Sequence, residues 1–559
     1  MSSAAVTAES GEVQGFTQRL LGGIEKVGNK VPHPVLIFLY LIALVFALSV
    51  ILDLLNVGIT EEIIVPTSPP VADLDDLPAG STALPVVVEP TYSDDFTIER
   101  VRVEIKSLLS IDGLRFFFTS FVNNFAGFSV VSVIFVAMIG VGVAEEAGLM
   151  VALIRKLVQV APARALTFII ILIGGLSSVA TDAGYLILIP LAGAAFLTVK
   201  RHPLAGIAAA YAGVSAAFSV NVLIAPLDAL LTEMTNEAMQ VAQPGESITI
   251  TANLYFSIAS TIVMAVIMTI ITEKIIEPSL GVFQPSSSPG ADGDIGEQPA
   301  EAIVDPAAES RGLRYTLFGL IGAIIVIALL AVPSGAPLRD PNNGDLIGNT
   351  PFMGSLIFLI SLIFLVCGIC YGIGAQTLKS SVDVINWVTK TFASLSGLIF
   401  MLLIISQFIA YFNFSNMPNV IAGGMAHLLE RADVNEVLLL IGFILVICLL
   451  DIIIPGSLPK WAIFAPIFVP IFVNLGVSPQ TVLAAYRIGD SPMNVITPLM
   501  VYLPFIVIVA QRYDKSTGIG TIISLMIPYT LILLVLWIVF FVLWYLVGIP
   551  LGPGYPVGL

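Results

Sequence analysis

The chain has 559 residues, 57% of them hydrophobic and only 11% charged, with a formal net charge of −16. A soluble domain carries about 25% charged residues. A mean hydropathy of +0.99 and recurrent apolar runs of about 20 residues exclude that class and define a polytopic membrane protein; acidity confined to residues 57–105 and 277–311 argues against nucleic acid or an anionic surface as partner.

Residues 1–33 are polar, without the pattern of a cleavable leader, and read as a cytoplasmic segment. Within them "GGIEKVGNK" (22–30) has the glycines of a phosphate loop but not its Gly-Lys-Ser/Thr ending. With no ATP motor encoded, an ion gradient is the expected driving force. The first membrane repeat is expected over 34–274. It opens with a span at 34–55, followed by an acidic outer loop at 57–105 and an aromatic segment, "GLRFFFTSFVNNF", that leads into a span at 127–147. Residues 164–199 form two apolar arms of about 17 residues around the polar tip "SSVATDAGY", too short to span singly, so a re-entrant hairpin is expected. A span at 205–231 is interrupted by "GVSAAFSVN", and another runs 253–273.

Residues 275–314 read as a cytoplasmic, disordered linker of low complexity. A connector span at 315–333 opens the region 315–548, which holds the second repeat. Spans follow at 353–374 and 394–412, then a second hairpin at 436–475 with the tip "PGSLPKW", a broken span at 480–509 and a last span at 519–547. Residues 549–559 form a C-terminal tail. Lys and Arg bias places Arg19, Lys26 and Lys30 in the cytoplasm with the N-terminus, and opens the first hairpin inward through Arg155, Lys156, Arg164, Lys200 and Arg201. Parity then brings the second hairpin in from outside.

The halves echo one another: "HPLAGIAAAYAG" (202–213) with "SPQTVLAAYRIG" (478–489), and "NVLIAPL" (221–227) with "NVITPL" (494–499). Each echo follows a two-armed hairpin. Inverted repeats with interrupted helices mark secondary transporters, and the interruptions mark the site. The expected architecture is therefore an all-α inverted-repeat transporter of about nine transmembrane helices and two re-entrant hairpins.

Charges inside apolar spans are costly and usually functional. Arg487 and Asp490 lie one turn apart among Gly489, Pro492 and Pro498. They either neutralise each other or divide the work, the guanidinium taking a substrate carboxylate and Asp490 a proton or cation. Asp182, at the first hairpin tip, is either a helix cap or a coupling carboxylate. Ser215, Asn221 and Asn494 are neutral groups suited to line a cavity. On the second hairpin, Trp461 suits an aromatic substrate or an interfacial anchor, Asp451 is a further coupling candidate, and Lys460 is expected to snorkel. A sodium site near Asp451, Asp490 and Asn494 is a candidate; His33, His202 and His427 have no metal-ligand spacing. Cys367, Cys370 and Cys448 read as small buried hydrophobes.

The segments "IEKVGNKVPHP", "GVGVAEEAGLM", "SSVATDAGYLILIPLA", "GVSAAFSVNVLIAPLD", "QFIAYFNFSN", "KWAIFAPIFVP" and "AAYRIGDSPMNVITPLM" together resemble the AbgT family, the p-aminobenzoyl-glutamate transporters, from about residue 20 to 545. The resemblance implies a homodimer in a prokaryotic inner membrane, with nine spans and two hairpins in each protomer. It implies import of p-aminobenzoyl-glutamate or efflux of sulfonamides and related folate precursors, and no cofactor beyond a coupling proton or sodium ion. By motif it places functional positions at Asp182, Trp461, Pro479, Arg487, Asp490 and Pro498. One departure is "DIIIPGSLPKW", which puts Asp451 where the family usually has Asn and Leu458 where it has Ser. Three rivals stand beside this reading: a di- or tricarboxylate transporter of the same fold, a membrane-embedded enzyme with paired carboxylates, and a passive channel.

Overall fold

A computed structural model of the chain describes residues 34–66, 96–179, 184–283, 306–347, 350–431, 435–452, 456–497 and 500–558. Asp182 and Pro498, the N-terminal segment 1–33 and residues 284–305 of the linker lie outside these. The described chain is mostly helical, and eight of its helices are long and apolar enough to cross a membrane. Seven match expected spans: Val35–Leu54, Ile111–Glu146, Leu254–Leu280, Pro306–Ala331, Pro351–Ala375, Ser396–Phe414 and Ile519–Val547. The eighth, Ser457–Asn474, is the second arm of the second hairpin and contains Pro466 and Pro470. The two remaining expected spans are the interrupted ones described below, too broken to count as single helices.

The outer helices pack through small residues, which let backbones approach closely in the absence of a hydrophobic drive between helices in lipid. A Cβ on Gly140 would fall 1.8 Å from Ser361 O, and one on Gly368 would fall 2.8 Å from Ala144 Cα. Gly312 and Gly374 meet in the same way, a Cβ on Gly374 coming within 2.8 Å of Gly312 Cα. Helix Pro306–Ala331 keeps Leu317, Phe318, Ile321, Ile324 and Ile325 exposed, as a helix bathed in lipid requires.

Three expectations change. The outer loop is not wholly irregular: Gly58–Pro66 and Phe96–Glu104 pair as an antiparallel ribbon, Gly58 opposite Glu104. Its period-2 pattern, "GITEEIIVP" against "FTIERVRVE", was hidden by the acidic composition around it. The linker is shorter than 275–314, because helix continues to Leu280 and resumes at Pro306. At its two described ends the acidic residues Glu277 and Glu309 sit on helix and are paired: Glu277 receives a bidentate Arg201, and Glu309 pairs with Arg155 at 2.6 Å. Finally, the C-terminal tail folds back. Leu551 is buried and its carbonyl accepts from Tyr255 N and Phe256 N, while Val557 O accepts from Ser478 Oγ and Thr481 Oγ1.

The repeated order is visible in the packing. The first hairpin has arms Leu166–Leu176 and Ile189–Thr198, and the second Glu436–Asp451 and Ser457–Asn474. Each hairpin is followed by a broken helix. Gly213 and Gly489, equivalent in the sequence echo, occupy equivalent places. A Cβ on Gly213 would lie 2.6 Å from Ile171 O, and one on Gly489 2.8 Å from Ile444 O, each on the first arm of its own hairpin.

Candidate functional site

The first broken helix begins at Pro203, capped by His202, whose Nδ1 accepts from Leu204 N at 3.3 Å. It runs to Tyr211, loosens into a π-turn at Ala212–Ala216, leaves helical form, and resumes at Pro226–Met239. The second begins at Pro479 and runs to Asp490, tightens to a 3-10 turn at Pro492–Val495, and resumes at Leu503–Gln511. Proline at the first helical position fits both starts, and proline within the chain ends the regular ladder. A break in lipid frees backbone groups that must find partners. Here side chains supply them. Ser491 Oγ donates to Arg487 O, Asn494 Nδ2 to Asp490 O, and Thr530 Oγ1 to Pro492 O, all at 2.9 Å.

The two breaks are bonded to each other. Ser219 Oγ donates to Asp490 Oδ2 at 2.5 Å, and Ser219 N donates to Ser491 Oγ at 3.1 Å. Arg487 Nη1 donates to Ser219 O and to Asp228 Oδ1, both at 2.6 Å. Tyr211 Oη reaches Asn494 O at 3.4 Å. Residues from 211 to 228 thus meet residues from 487 to 494.

Two charge groupings result. Arg487 pairs with Asp228. Asp490 pairs with Lys460 at 2.7 Å, and Lys460 also contacts Asp451. Among the described ion pairs Arg487 and Asp490 are not partners, although they sit one turn apart; each faces a different element. Asp490 is saturated: Oδ1 takes Lys460 and Tyr486 Oη, and Oδ2 takes Ser219 and Ser457. Arg487, Asp451, Lys460 and Asp490 are essentially inaccessible. Two cations and three carboxylates, counted at formal charge, leave one negative charge in excess. Burying them is tolerable only because almost every polar atom is bonded. The exceptions are Asp451 Oδ2 and Arg487 Nε, which have no partner among the described residues.

The other expected site residues are distributed unevenly. Trp461 is fully buried; its Nε1 donates to Thr235 Oγ1 at 3.0 Å and Leu231 O at 3.2 Å, and its ring lies 4.3 Å from that of Tyr486. It is therefore no membrane-interface anchor. Lys460 does not snorkel: it is 0% exposed, because two carboxylates bind its ammonium within the protein. Ser215 accepts from Tyr185 Oη at 3.2 Å. Asn221 Nδ2 donates to Gly175 O and Ser178 Oγ. These two tie the first broken helix to the first hairpin and do not touch the charges. Asn494 touches Asp490 only through its backbone. Pro479 stands at the far end of its helix, about 16 Å along the axis from Asp490. Asp182 and Pro498 lie outside the described residues. Sequence reasoning missed Asp228, Ser219, Ser457 and Tyr486. The aspartate was within reach, being the last residue of "GVSAAFSVNVLIAPLD", one of the segments that carry the family resemblance. Cys367, Cys370 and Cys448 are free thiols, the first and last buried, and no grouping of three or more His, Cys, Asp or Glu suited to a metal occurs among the described residues.

Broken helices joined through buried charge, held by two hairpins among long apolar helices, have the architecture of a membrane transporter, and the two breaks form its candidate site. Comparison with known proteins gives the same class. A family model described as the AbgT putative transporter family matches residues 19–559. The p-aminobenzoyl-glutamate transport protein of Escherichia coli (strain K12) is 33% identical across the whole of this chain and 99% of its own length. The Alcanivorax borkumensis YdaH transporter superposes with a TM-score of 0.81 at 36% identity, covering 93% of this chain and all of that one. Neisseria gonorrhoeae MtrF, described with a class of antimetabolite efflux pumps, gives 0.80 at 34% identity, covering 96% of this chain and all of that one. This chain belongs to the AbgT transporter family and is a multi-pass membrane protein that moves a small molecule.

Proposed function

We propose that this transporter carries a small aromatic carboxylate of the p-aminobenzoyl-glutamate type, or a related folate precursor or sulfonamide, driven by a proton or sodium gradient. The observation that carries the reading is the state of Arg487. Its guanidinium is buried, engages Ser219 and Asp228 through Nη1 alone, and leaves Nε without a partner among the described residues. A planar fork with donors to spare is suited to a carboxylate in bidentate register. Asp228 then acts as the resident anion that a substrate carboxylate displaces. Asp490, with Asp182 and Asp451, carries the coupling ion; Trp461 and Tyr486 form an aromatic wall behind the site. The named substrate of the Escherichia coli relative and the antimetabolites of the Neisseria pump are consistent with this chemistry.

The protein works as a homodimer in a prokaryotic inner membrane, with its N-terminus in the cytoplasm and two inverted repeats that alternate access. It leaves its substrate chemically unchanged. The test is flux of labelled p-aminobenzoyl-glutamate in proteoliposomes under imposed proton or sodium gradients. Gradient-driven flux of intact substrate, unaffected by excess succinate or citrate, is the expected result. Competition by those acids would favour the di- or tricarboxylate rival. Conversion without a gradient would favour an enzyme, and flux indifferent to gradients a channel.

A further inference from the structure

The cluster where the second hairpin meets the two breaks is built of oxygen. Asp451 and Asp490 supply carboxylates, and Ser219, Ser457 and Tyr486 supply hydroxyls around Asp490. All five are buried, and Asp451 Oδ2 has no partner among the described residues. A dry, negative, oxygen-lined space is what a small hard cation asks for. Here it contains a different cation, the Lys460 ammonium, 2.7 Å from Asp490 Oδ1 and in contact with Asp451 Oδ1.

We propose that Lys460 is a built-in cation: its ammonium takes the place between Asp451 and Asp490 that a sodium ion would fill, and so closes this cluster to sodium. The inference rests on the reading of the chain as an ion-driven transporter, and it names the residue that selects the ion. A tethered cation competes at a high effective concentration, because its stem is fixed to the helix Ser457–Asn474 and cannot diffuse away. A sodium ion entering the native cluster would have to expel a charged group that, among the described residues, has no other acid in contact to receive it. Removing the ammonium reverses the balance. Two buried carboxylates are then left facing each other, an arrangement strongly unfavourable without a counter-ion.

Charge and cation can be separated by mutation. Asp451, Lys460 and Asp490 together carry a formal charge of −1. The double variant Asp451→Asn/Lys460→Met also carries −1, on Asp490 alone, but has no internal cation. The measurement is the unfolding temperature of the purified full-length chain in detergent, in sodium chloride against choline chloride at matched ionic strength. The native chain is expected to be indifferent to the choice of cation. The double variant is expected to gain a saturable rise specific to sodium, and Asp451→Asn alone, which keeps the lysine, none. A sodium-specific rise in the native chain, or none in the double variant, overturns the proposal. If the double variant is not recovered folded, Lys460→Gln carries the same comparison, with a sodium-specific rise expected and its absence overturning. The measurement uses neither substrate nor gradient, so it can fail while transport stands, and transport can fail while it holds.

Discussion

The two broken helices share a scaffold and differ in charge. Both start with proline, both carry a glycine pressed onto the first arm of the preceding hairpin, and both lose regular helix within a few residues of that glycine. In the first, the residues at the break are Ser215, Ser219 and Asn221, with Asp228 on the next helix. In the second they are Arg487, Asp490, Ser491 and Asn494, with Lys460 and Asp451 on the adjoining hairpin. The first half therefore offers mostly neutral groups and backbone, and the second brings most of the charge. The echoed backbone brings the two breaks together; the divergence of their side chains sets where the charge lies. Ser219 joins the two, since its hydroxyl and its carbonyl serve Asp490 and Arg487 respectively.

The largest expected effect falls on the charged half. Asp490→Asn should reduce gradient-driven flux in proteoliposomes to background while leaving the chain folded, judged by its elution and unfolding profile, because an amide keeps the size and shape of the carboxylate but loses its charge. Normal flux in that variant would make the second break as structural as the first. Next comes the single acid that the first half contributes. Asp228→Asn leaves a buried guanidinium uncompensated and should cost about 3 kcal/mol or more in thermal stability. Adding Arg487→Gln should recover much of that loss, a coupling that a double-mutant cycle reads directly.

A smaller effect tests the equivalence itself. Gly213→Ala and Gly489→Ala should each destabilise by about 1–3 kcal/mol, since each new methyl meets backbone or a β-branched side chain that cannot retreat. Similar losses in unfolding temperature sharpen the comparison, and a silent change at one glycine breaks it. The smallest effect concerns the caps. His202 caps the first helix through an unprotonated Nδ1, whereas Ser478 at the equivalent place donates to Val557 O. Burial lowers the His202 pKa below its ordinary 6.5, against the opposing pull of Asp514 and Glu277. The unfolded chain therefore binds its proton first as pH falls. The cap's contribution, about 1 kcal/mol, is present above pH 6.5 and drains away as pH drops through the lowered folded value. Stability measured against pH should show that loss in the native chain and not in His202→Asn, which caps without titrating.

Much of this was written in the chain. Spans, hairpins and the two interruptions follow from the lengths of apolar runs and from proline and glycine, because in lipid each backbone group must be satisfied locally and the run length must match the bilayer. The echo of 202–213 in 478–489 located both breaks, and Arg487 and Asp490 announced themselves as charges in hydrocarbon. Partnership was not legible. Arg487 and Asp490 are neighbours on one helix, yet Arg487 binds Asp228 and Asp490 binds Lys460, residues far away in sequence. The same holds for Lys460, whose long stem permits snorkelling in isolation and whose burial depends on two acids that converge only in the fold, and for the ribbon and C-terminal strap, which are set by contacts between distant segments. Run length and backbone chemistry are local quantities, so the sequence alone determined where helices span and where they break. Which charges neutralise one another depends on distances between elements, and only tertiary packing could decide that.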